Sequence, residues 1–462
     1  MSLKHPVDPS IFRAYDIRGV VGKTLSEETV LLIGKAIGSL AREQKITQII
    51  IARDGRFSGS LLSKALATGI LSSGCDVADL GMVPTPLLYY ASYHAVDRSG
   101  VMLTGSHNPP DYNGLKIMLH GKMLTEKELT HLYERILHQQ FCEGEGKYSK
   151  REVIHEYLHQ ITKDIHLARP LRIVIDAGNG VTGMIAPQLF KALGCEVNEL
   201  FCEVDGNFPN HHPDPSDPAN LQDLIRVVRE KKADIGLALD GDGDRLGVVT
   251  HEGTIIWPDR LLILFAQSLL SICKGAKIIY DVKCTHHLRT QILAFGGEPL
   301  MCKTGHSFIK AKLAETKAQL AGEMSGHFFF NDRWYGFDDA LYAGARLLEI
   351  FSKQKENSDH LFAALPNSIN TAELKVLVKE EEKFQLMQQL IDRADFKEAQ
   401  EIISIDGLRV NFIDGWGLVR PSNTTPYLVL RFEAANEAIL QKIQQLFREW
   451  MMSVNPHFVL PF

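Results

Sequence analysis

Three times along this chain an apolar run ends abruptly in glycines and polar side chains. The runs are Val101-Met-Leu-Thr104 before Gly105-Ser106-His107-Asn108-Pro109, Ile235-Gly-Leu-Ala-Leu239 before Asp240-Gly-Asp-Gly-Asp-Arg245, and Lys277-Ile-Ile-Tyr-Asp-Val-Lys283. Short runs of this kind read as strands buried on both faces, which is the pattern of parallel sheets covered by helices. Helical spacing between such strands supports the same class: Leu31, Leu32, Ala36, Ile37 and Leu40 share one face, with Thr24 and Glu27 spaced as a capping box. Further helices are expected over 59–73 and 259–272, and a Pro-rich loop at Pro84 and Pro86. Alternating strands and helices predict α/β units with mixed, mostly parallel sheets, whose ligands bind at the C-terminal strand ends.

From Thr371 onward the order changes to strands at 401–405, 408–412, 416–420 and 427–433, with a helix over 380–394 and a final amphipathic helix capped by Asn436. This reads as a smaller C-terminal α+β domain. With 462 residues, length alone predicts about three domains, and polar residues 142–152 mark the first boundary. Fifty Lys and Arg against 56 Asp and Glu leave a net charge of −6, with no basic excess to draw nucleic acid or an anionic membrane. The start of the sequence has no apolar signal region, and the run Leu261–Ala266 is too short to span a bilayer, so a cytoplasmic protein is expected. Seven cysteines without a Cys-x-x-Cys pair suggest neither a disulfide framework nor a zinc knuckle.

Gly105 is expected to free the backbone so that the Ser106 hydroxyl projects as a nucleophile or phosphate carrier; the alternative is a serine that caps a turn. Asp240, Asp242 and Asp244, alternating with glycine, can bend around one hard cation, Mg²⁺ being the natural choice beside a phosphate; an acidic surface turn is the alternative. An EF-hand is excluded, because its sixth position would be Arg245 and its twelfth His251. Arg420, Ser422, Asn423, Thr424 and Thr425 offer a guanidinium, hydroxyls and amides in one loop, either a phosphate grip or an Asn-Thr turn. Glu323 and Ser325 can accept hydrogen bonds from sugar hydroxyls, an ordinary turn being the alternative, while Lys116, Lys283, His306 and His327 are candidates for proton transfer or charge stabilisation, a structural role being the alternative for each histidine. The pairs His211-His212 and His286-His287 are read as structural, on the expectation that adjacent side chains diverge. Together these features describe phosphoryl transfer on a phosphorylated small molecule, and no Gly-x-x-x-x-Gly-Lys-[Ser/Thr] loop suggests ATP as donor.

Thr104-Gly-Ser-His-Asn-Pro109, Asp240-Gly-Asp-Gly-Asp-Arg245, Gly322-Glu-Met-Ser-Gly-His327 and Arg420-Pro-Ser-Asn-Thr-Thr-Pro426 resemble, in order, the four signature loops of the α-D-phosphohexomutase family. With Phe12-Arg-Ala-Tyr-Asp-Ile-Arg-Gly19 in front, the chain looks most like the bacterial phosphomannomutase/phosphoglucomutase branch. That resemblance implies three related α/β domains over 1–151, 152–254 and 255–366, and an α+β domain over 367–462, around one central cleft over which the last domain closes. It implies that phosphorylated Ser106 transfers its phosphoryl group through a hexose 1,6-bisphosphate, with Asp240, Asp242, Asp244 and Ser106 holding Mg²⁺ and glucose 1,6-bisphosphate as activator. Arg18, His107, Lys116 and Arg245 would surround the reacting group, with Lys283, His306 and His327 as further charged catalytic positions. Tyr15, Glu323 and Ser325 would contact the sugar, and Arg420, Ser422, Asn423 and Thr424 the idle phosphate. Expected partners are hexose phosphates alone, bound by a monomer. A phosphoglucosamine mutase, a catalytically silent sugar-phosphate binder and a Mg²⁺-dependent phosphatase are the competing readings.

Overall fold

A computed structural model describes residues 7–423 and 425–462, in two compact units. The first runs to Pro258 and takes in Ser325–Ala364; the second combines Asp259–Met324 with Leu365–Phe462. No helix among the described residues is long and apolar enough to cross a membrane.

The first unit opens with a seven-stranded sheet in the order Ile17–Val20, Tyr112–Leu119, Gly100–Leu103, Gln48–Arg53, Asp76–Met82 and Tyr148–Lys150, with Lys122–Met123 beside Tyr112–Leu119. Tyr112–Leu119 runs antiparallel to both its neighbours, and the rest of the path is parallel. The core beneath it joins Ile33, Ile37, Leu66 and Ile70 to the strand residues Ile49, Ile51, Val101 and Leu103. Helices Glu27–Glu43 and Gly59–Leu71 meet through glycines: a Cβ on Gly34 would lie 2.5 Å from the Leu66 carbonyl oxygen, and one on Gly69 2.3 Å from that of Leu31. The cap of the first helix is Ser26, whose hydroxyl accepts from Thr29 N. Thr24, the capping residue expected from its spacing, instead accepts from Val20 N and closes the preceding turn. The Pro84-Pro86 segment is likewise no plain loop, because Thr85–Tyr93 is helical; proline in a first turn removes an amide that has no helical partner anyway.

A second sheet follows in the order Ile255–Ile256, Leu246–Thr250, Ile235–Leu239, Arg172–Asp176 and Glu196–Leu200. Helix Ala340–Ser352 is buried along its whole length. Burying Leu347, Leu348 and Phe351 stabilises by roughly 1.5–3 kcal/mol each. Its one guanidinium, Arg346, is paired with Asp332 at 2.9 Å.

In the second unit the parallel strands Glu298–Cys302, Lys277–Asp281 and Leu320–Gly322 carry helices His287–Ala294 and His306–Thr316. The terminal part is an antiparallel sheet, Ile369–Asn370, Tyr427–Ala434, Gly415–Pro421, Leu408–Phe412 and Glu401–Ile403, with Leu374–Leu377 also paired to Tyr427–Ala434. Helix Glu437–Val454 lies on it through Leu440, Ile443, Phe447, Trp450 and Met451, and Asn436 caps it by accepting from Ile439 N. The expected α/β class with a smaller α+β part is the fold observed.

Candidate active site

Strand Gln48–Arg53 ends in Asp54-Gly-Arg56, and this turn builds the serine loop. The buried Asp54 carboxylate accepts from Thr104 Oγ1 at 2.7 Å and Gly105 N at 3.0 Å. The Arg56 side chain has no exposed surface, and its guanidinium donates to the carbonyls of Ser106 (2.8 Å), Asn108 (2.5 Å), Pro109 (2.5 Å) and Tyr112 (3.0 Å). The left-handed residue is therefore not Gly105 but Ser106 itself, at φ +48°. Position 105 is glycine for another reason: a Cβ there would sit 2.3 Å from Arg56 Cζ. A non-glycine residue at positive φ costs about 1 kcal/mol or more, and here it aims the hydroxyl. Ser106 Oγ lies 3.1 Å from Asp240 Oδ2 and 3.1 Å from His107 Nδ1.

The Asp240 loop leaves the buried strand Ile235–Leu239 and folds around its own first carboxylate, whose Oδ1 accepts from the amides of Gly243, Asp244 and Arg245. Asp240, Asp242 and Asp244 have no exposed surface, and each offers one oxygen in a group lying within 4.8 Å. Lys116 Nζ donates to Asp242 at 2.7 Å and Asp244 at 2.5 Å, and Thr85 Oγ1 to Asp242 at 2.5 Å. Burial and the two neighbouring carboxylates push the Asp240 pKa well up; in Asp244 the opposing pull of Lys116 and His327 outweighs burial and holds it well down. Lys116 is buried, yet Asp242 and Asp244 hold its proton tightly. Lys116 pairs with two of the three carboxylates, and Asp242 Oδ1 is buried with no hydrogen-bond partner. An all-oxygen donor set with an orphaned acceptor fits a hard divalent cation.

Arg18 pairs with Asp16 at 2.8 Å and donates to the Thr104 carbonyl at 3.3 Å, while the half-buried Tyr15 lies within electrostatic range of Arg18 and Arg245. Arg245 Nε is 3.4 Å from His327 Nε2, which is 3.2 Å from Asp244 Oδ1; His327 Nδ1 meets Ser325 Oγ at 2.9 Å. Burial and the charge of Arg245 keep the His107 pKa well below the usual imidazole range. The first unit thus gathers Arg18, Ser106, His107, Lys116, Asp240, Asp242, Asp244, Arg245, Ser325 and His327.

The second unit gathers its own set. Lys283 follows strand Lys277–Asp281 and is paired with Glu373 at 2.5 Å; burial opposes its charge, but Glu373 and Asp281 outweigh it and raise its pKa. Glu323 is buried and accepts from Gly305 N at 2.6 Å, one residue before His306 opens its helix. Arg420 Nε donates to Asp406 at 2.8 Å, leaving Nη2 buried without a partner. The loop beyond it is closed by Thr425 donating to Ser422 Oγ, and Asn423 Nδ2 approaches the Thr304 carbonyl at 3.4 Å. Thr424 lies outside the described residues.

Sequence reasoning left Asp54, Arg56, Thr85, Glu373 and Asp406 unassigned. The charged turn Arg53-Asp-Gly-Arg56 at a strand end was the one available signal. His211 is structural, bonded to Asp176 at 3.0 Å, but the His286 and His287 rings do not diverge: their centroids are 4.1 Å apart.

Domain profiles of phosphoglucomutase/phosphomannomutase match in order: α/β/α domain I over residues 9–143, domain II over 155–253, domain III over 257–369 and the C-terminal domain over 373–449. The chain is 55% identical over 453 residues to a phosphomannomutase/phosphoglucomutase of Pseudomonas putida, covering 98% of each chain. It is 52% identical to a phosphoglucomutase of Neisseria gonorrhoeae, again with 98% of each covered. Among solved structures, a phosphoglucomutase/phosphomannomutase family protein of Burkholderia thailandensis superposes with a TM-score of 0.95 at 52% identity, covering 99% of this chain and 100% of that one.

Proposed function

The chain belongs to the phosphoglucomutase/phosphomannomutase family, and from that premise we propose that it interconverts the 1- and 6-phosphates of mannose and of glucose through a phosphoserine at Ser106. The observation that carries this reading is the left-handed Ser106, with its Oγ 3.1 Å from Asp240 in a buried tri-carboxylate cluster. In the first half-reaction the free sugar hydroxyl attacks the phosphorus of phospho-Ser106, the bond to Oγ breaks, and a hexose 1,6-bisphosphate forms. In the second, the turned bisphosphate gives its other phosphoryl group back to Ser106 Oγ. Atoms balance over the cycle, so a trace of glucose 1,6-bisphosphate serves to rephosphorylate enzyme that has lost its group.

Asp240, Asp242 and Asp244, with Ser106, would hold Mg²⁺, which supplies charge neutralisation at the transferring phosphoryl group. Arg18, Lys116 and Arg245 add fixed positive charge at the same end, and His107 Nδ1, 3.1 Å from Ser106 Oγ, is placed to exchange a proton with it. Lys283, His306 and His327 are assigned as further charged catalytic positions. Arg420, whose buried Nη2 lacks a partner, takes the phosphate that is not reacting, with Ser422, Asn423 and Thr424. Glu323, Ser325 and Tyr15 are assigned to the sugar. The reading includes domain limits of 1–151, 152–254, 255–366 and 367–462, a monomeric state and a cytoplasmic location.

The test is turnover on mannose 1-phosphate, glucose 1-phosphate and glucosamine 1-phosphate with Mg²⁺ and a trace of glucose 1,6-bisphosphate, beside Ser106→Ala. Comparable rates on the first two, abolished by the substitution, are expected. Preference for the amino sugar would move the assignment to phosphoglucosamine mutase. Release of free phosphate at the isomerisation rate would point to a phosphatase.

A further inference from the structure

We propose that His286, His287 and Glu433 form a second metal site in this protein, one that takes a borderline transition-metal ion such as Zn²⁺ rather than Mg²⁺. Each of the three offers one ligand atom, and these atoms lie within 4.8 Å of one another. His286 Nδ1 is 2.7 Å from Glu433 Oε1, and the two imidazole rings stand 4.1 Å apart between centroids. Tetrahedral coordination with bonds of about 2.0–2.1 Å sets neighbouring ligand atoms roughly 3.4 Å apart, so the cluster reaches that geometry by small side-chain rotations. Two imidazole nitrogens and one carboxylate oxygen are the donor set of a zinc-type site, whereas Mg²⁺ takes oxygen ligands.

The surroundings hold these side chains in place. Glu433 sits on strand Tyr427–Ala434 with 1% of its surface exposed, and its Oε1 also accepts from Thr285 Oγ1 at 2.8 Å. The His287 ring is held through Nε2 by Ser368 Oγ at 2.6 Å, and its backbone amide donates to Thr285 Oγ1 at 3.2 Å. Such hydrogen bonds orient metal-ligating imidazoles and carboxylates before the ion arrives. His286 keeps 39% of its side chain exposed, which leaves the ion a route in from solvent and room for a water as fourth ligand. Binding at Nδ1 takes the place of the His286–Glu433 hydrogen bond, and the neutral ring then carries its proton on Nε2.

An ion here would tie the segment that begins three residues beyond Lys283 to the strand Tyr427–Ala434, with Ser368 joined through its hydrogen bond to His287. The expected effect is a stabilised Lys283 loop, read as a higher melting temperature.

The experiment titrates the full chain with Zn²⁺, and separately with Co²⁺, in saturating Mg²⁺ so that the aspartate cluster is occupied. One ion per chain is expected, with a rise in melting temperature and an intense visible Co²⁺ band of tetrahedral type. His286→Ala and His287→Gln should each weaken Zn²⁺ binding at least tenfold and remove the Co²⁺ band, with turnover in Mg²⁺ alone unchanged. As a control that keeps all three ligands, Ser368→Ala, which frees His287 without removing it, should give a smaller loss. Undiminished Zn²⁺ binding in the His286→Ala/His287→Gln double variant, or a wild-type chain that binds no ion beyond the Mg²⁺ site, would overturn the proposal.

Discussion

The loop that carries Ser106 at positive φ is clamped by Arg56, whose guanidinium binds four of its carbonyls, at residues 106, 108, 109 and 112. A lysine at 56 keeps the charge but has no planar fork, so it satisfies at most a few of those acceptors and leaves others buried and unpaired. Arg56→Lys is expected to lower stability by about 2–4 kcal/mol and to slow phosphorylation of Ser106 at least tenfold, measured by denaturant unfolding and by label uptake from glucose 1,6-bisphosphate. Label uptake at the wild-type rate in a folded variant would show that the loop keeps its geometry without the clamp. Gly105→Ala attacks the same contact from the other side, because its new methyl would meet Arg56 at 2.3 Å, and it is expected to cost as much.

The Lys283 loop repeats the device at the scale of strands. Arg409, on Leu408–Phe412, donates to the carbonyls of Val282 and Cys284 at 2.7 Å each, and Arg431, on Tyr427–Ala434, donates to that of Lys283. Trp416, on the strand between them, stacks under Arg409 with its ring centroid 3.8 Å from the guanidinium carbon. Alternate residues of neighbouring strands point the same way, so both arginines reach one loop from one sheet face. Arg409→Met should cost roughly 3–5 kcal/mol by leaving two buried carbonyls unpaired, and should lower kcat with little change in KM. A variant with full stability and full kcat would mean the loop is positioned by its own strand alone. The strand ends themselves were legible in the sequence, since Ile235–Leu239 and Lys277–Asp281 are local apolar runs. Helix Ala340–Ser352 shows Arg346, Glu349 and Ser352 on one side, and only the tertiary structure buries that side, with Arg346 paired to Asp332.

For the molecule as a whole, the buried carboxylates predict that its stability depends on divalent cation. Removing metal with a chelator should lower the melting temperature and abolish turnover, both restored by Mg²⁺; at 100 times Kd the bound ion contributes about 2.7 kcal/mol. Equal melting curves with and without Mg²⁺ would sink the cluster as a metal site. Thiol chemistry offers an independent check on the packing. Cys273 is exposed, whereas burial pushes the Cys75, Cys195 and Cys202 thiols up to about 12, so at pH 8 roughly one in 10⁴ of each is thiolate. A disulfide reagent should therefore modify Cys273 first, and these three only on unfolding; rapid loss of all the thiols from native protein would contradict the fold.

The sequence by itself determined where the candidate site residues sit along the chain, because a strand, the loop after it and the loop's side chains are neighbours in the chain. Ser106, the three aspartates, Lys283 and Arg420 were all visible in this way. Tertiary structure alone decided what those groups touch. Ser106 meets Asp240 across 134 residues, Lys116 meets Asp242 across 126, and Arg409 meets Val282 across 127. Such contacts depend on sheet register and on which helices fit between sheets, which are settled by the packing of the whole core. The same cause explains His286 and His287: their separation in sequence says nothing of Glu433, which a strand 147 residues away brings within 2.7 Å.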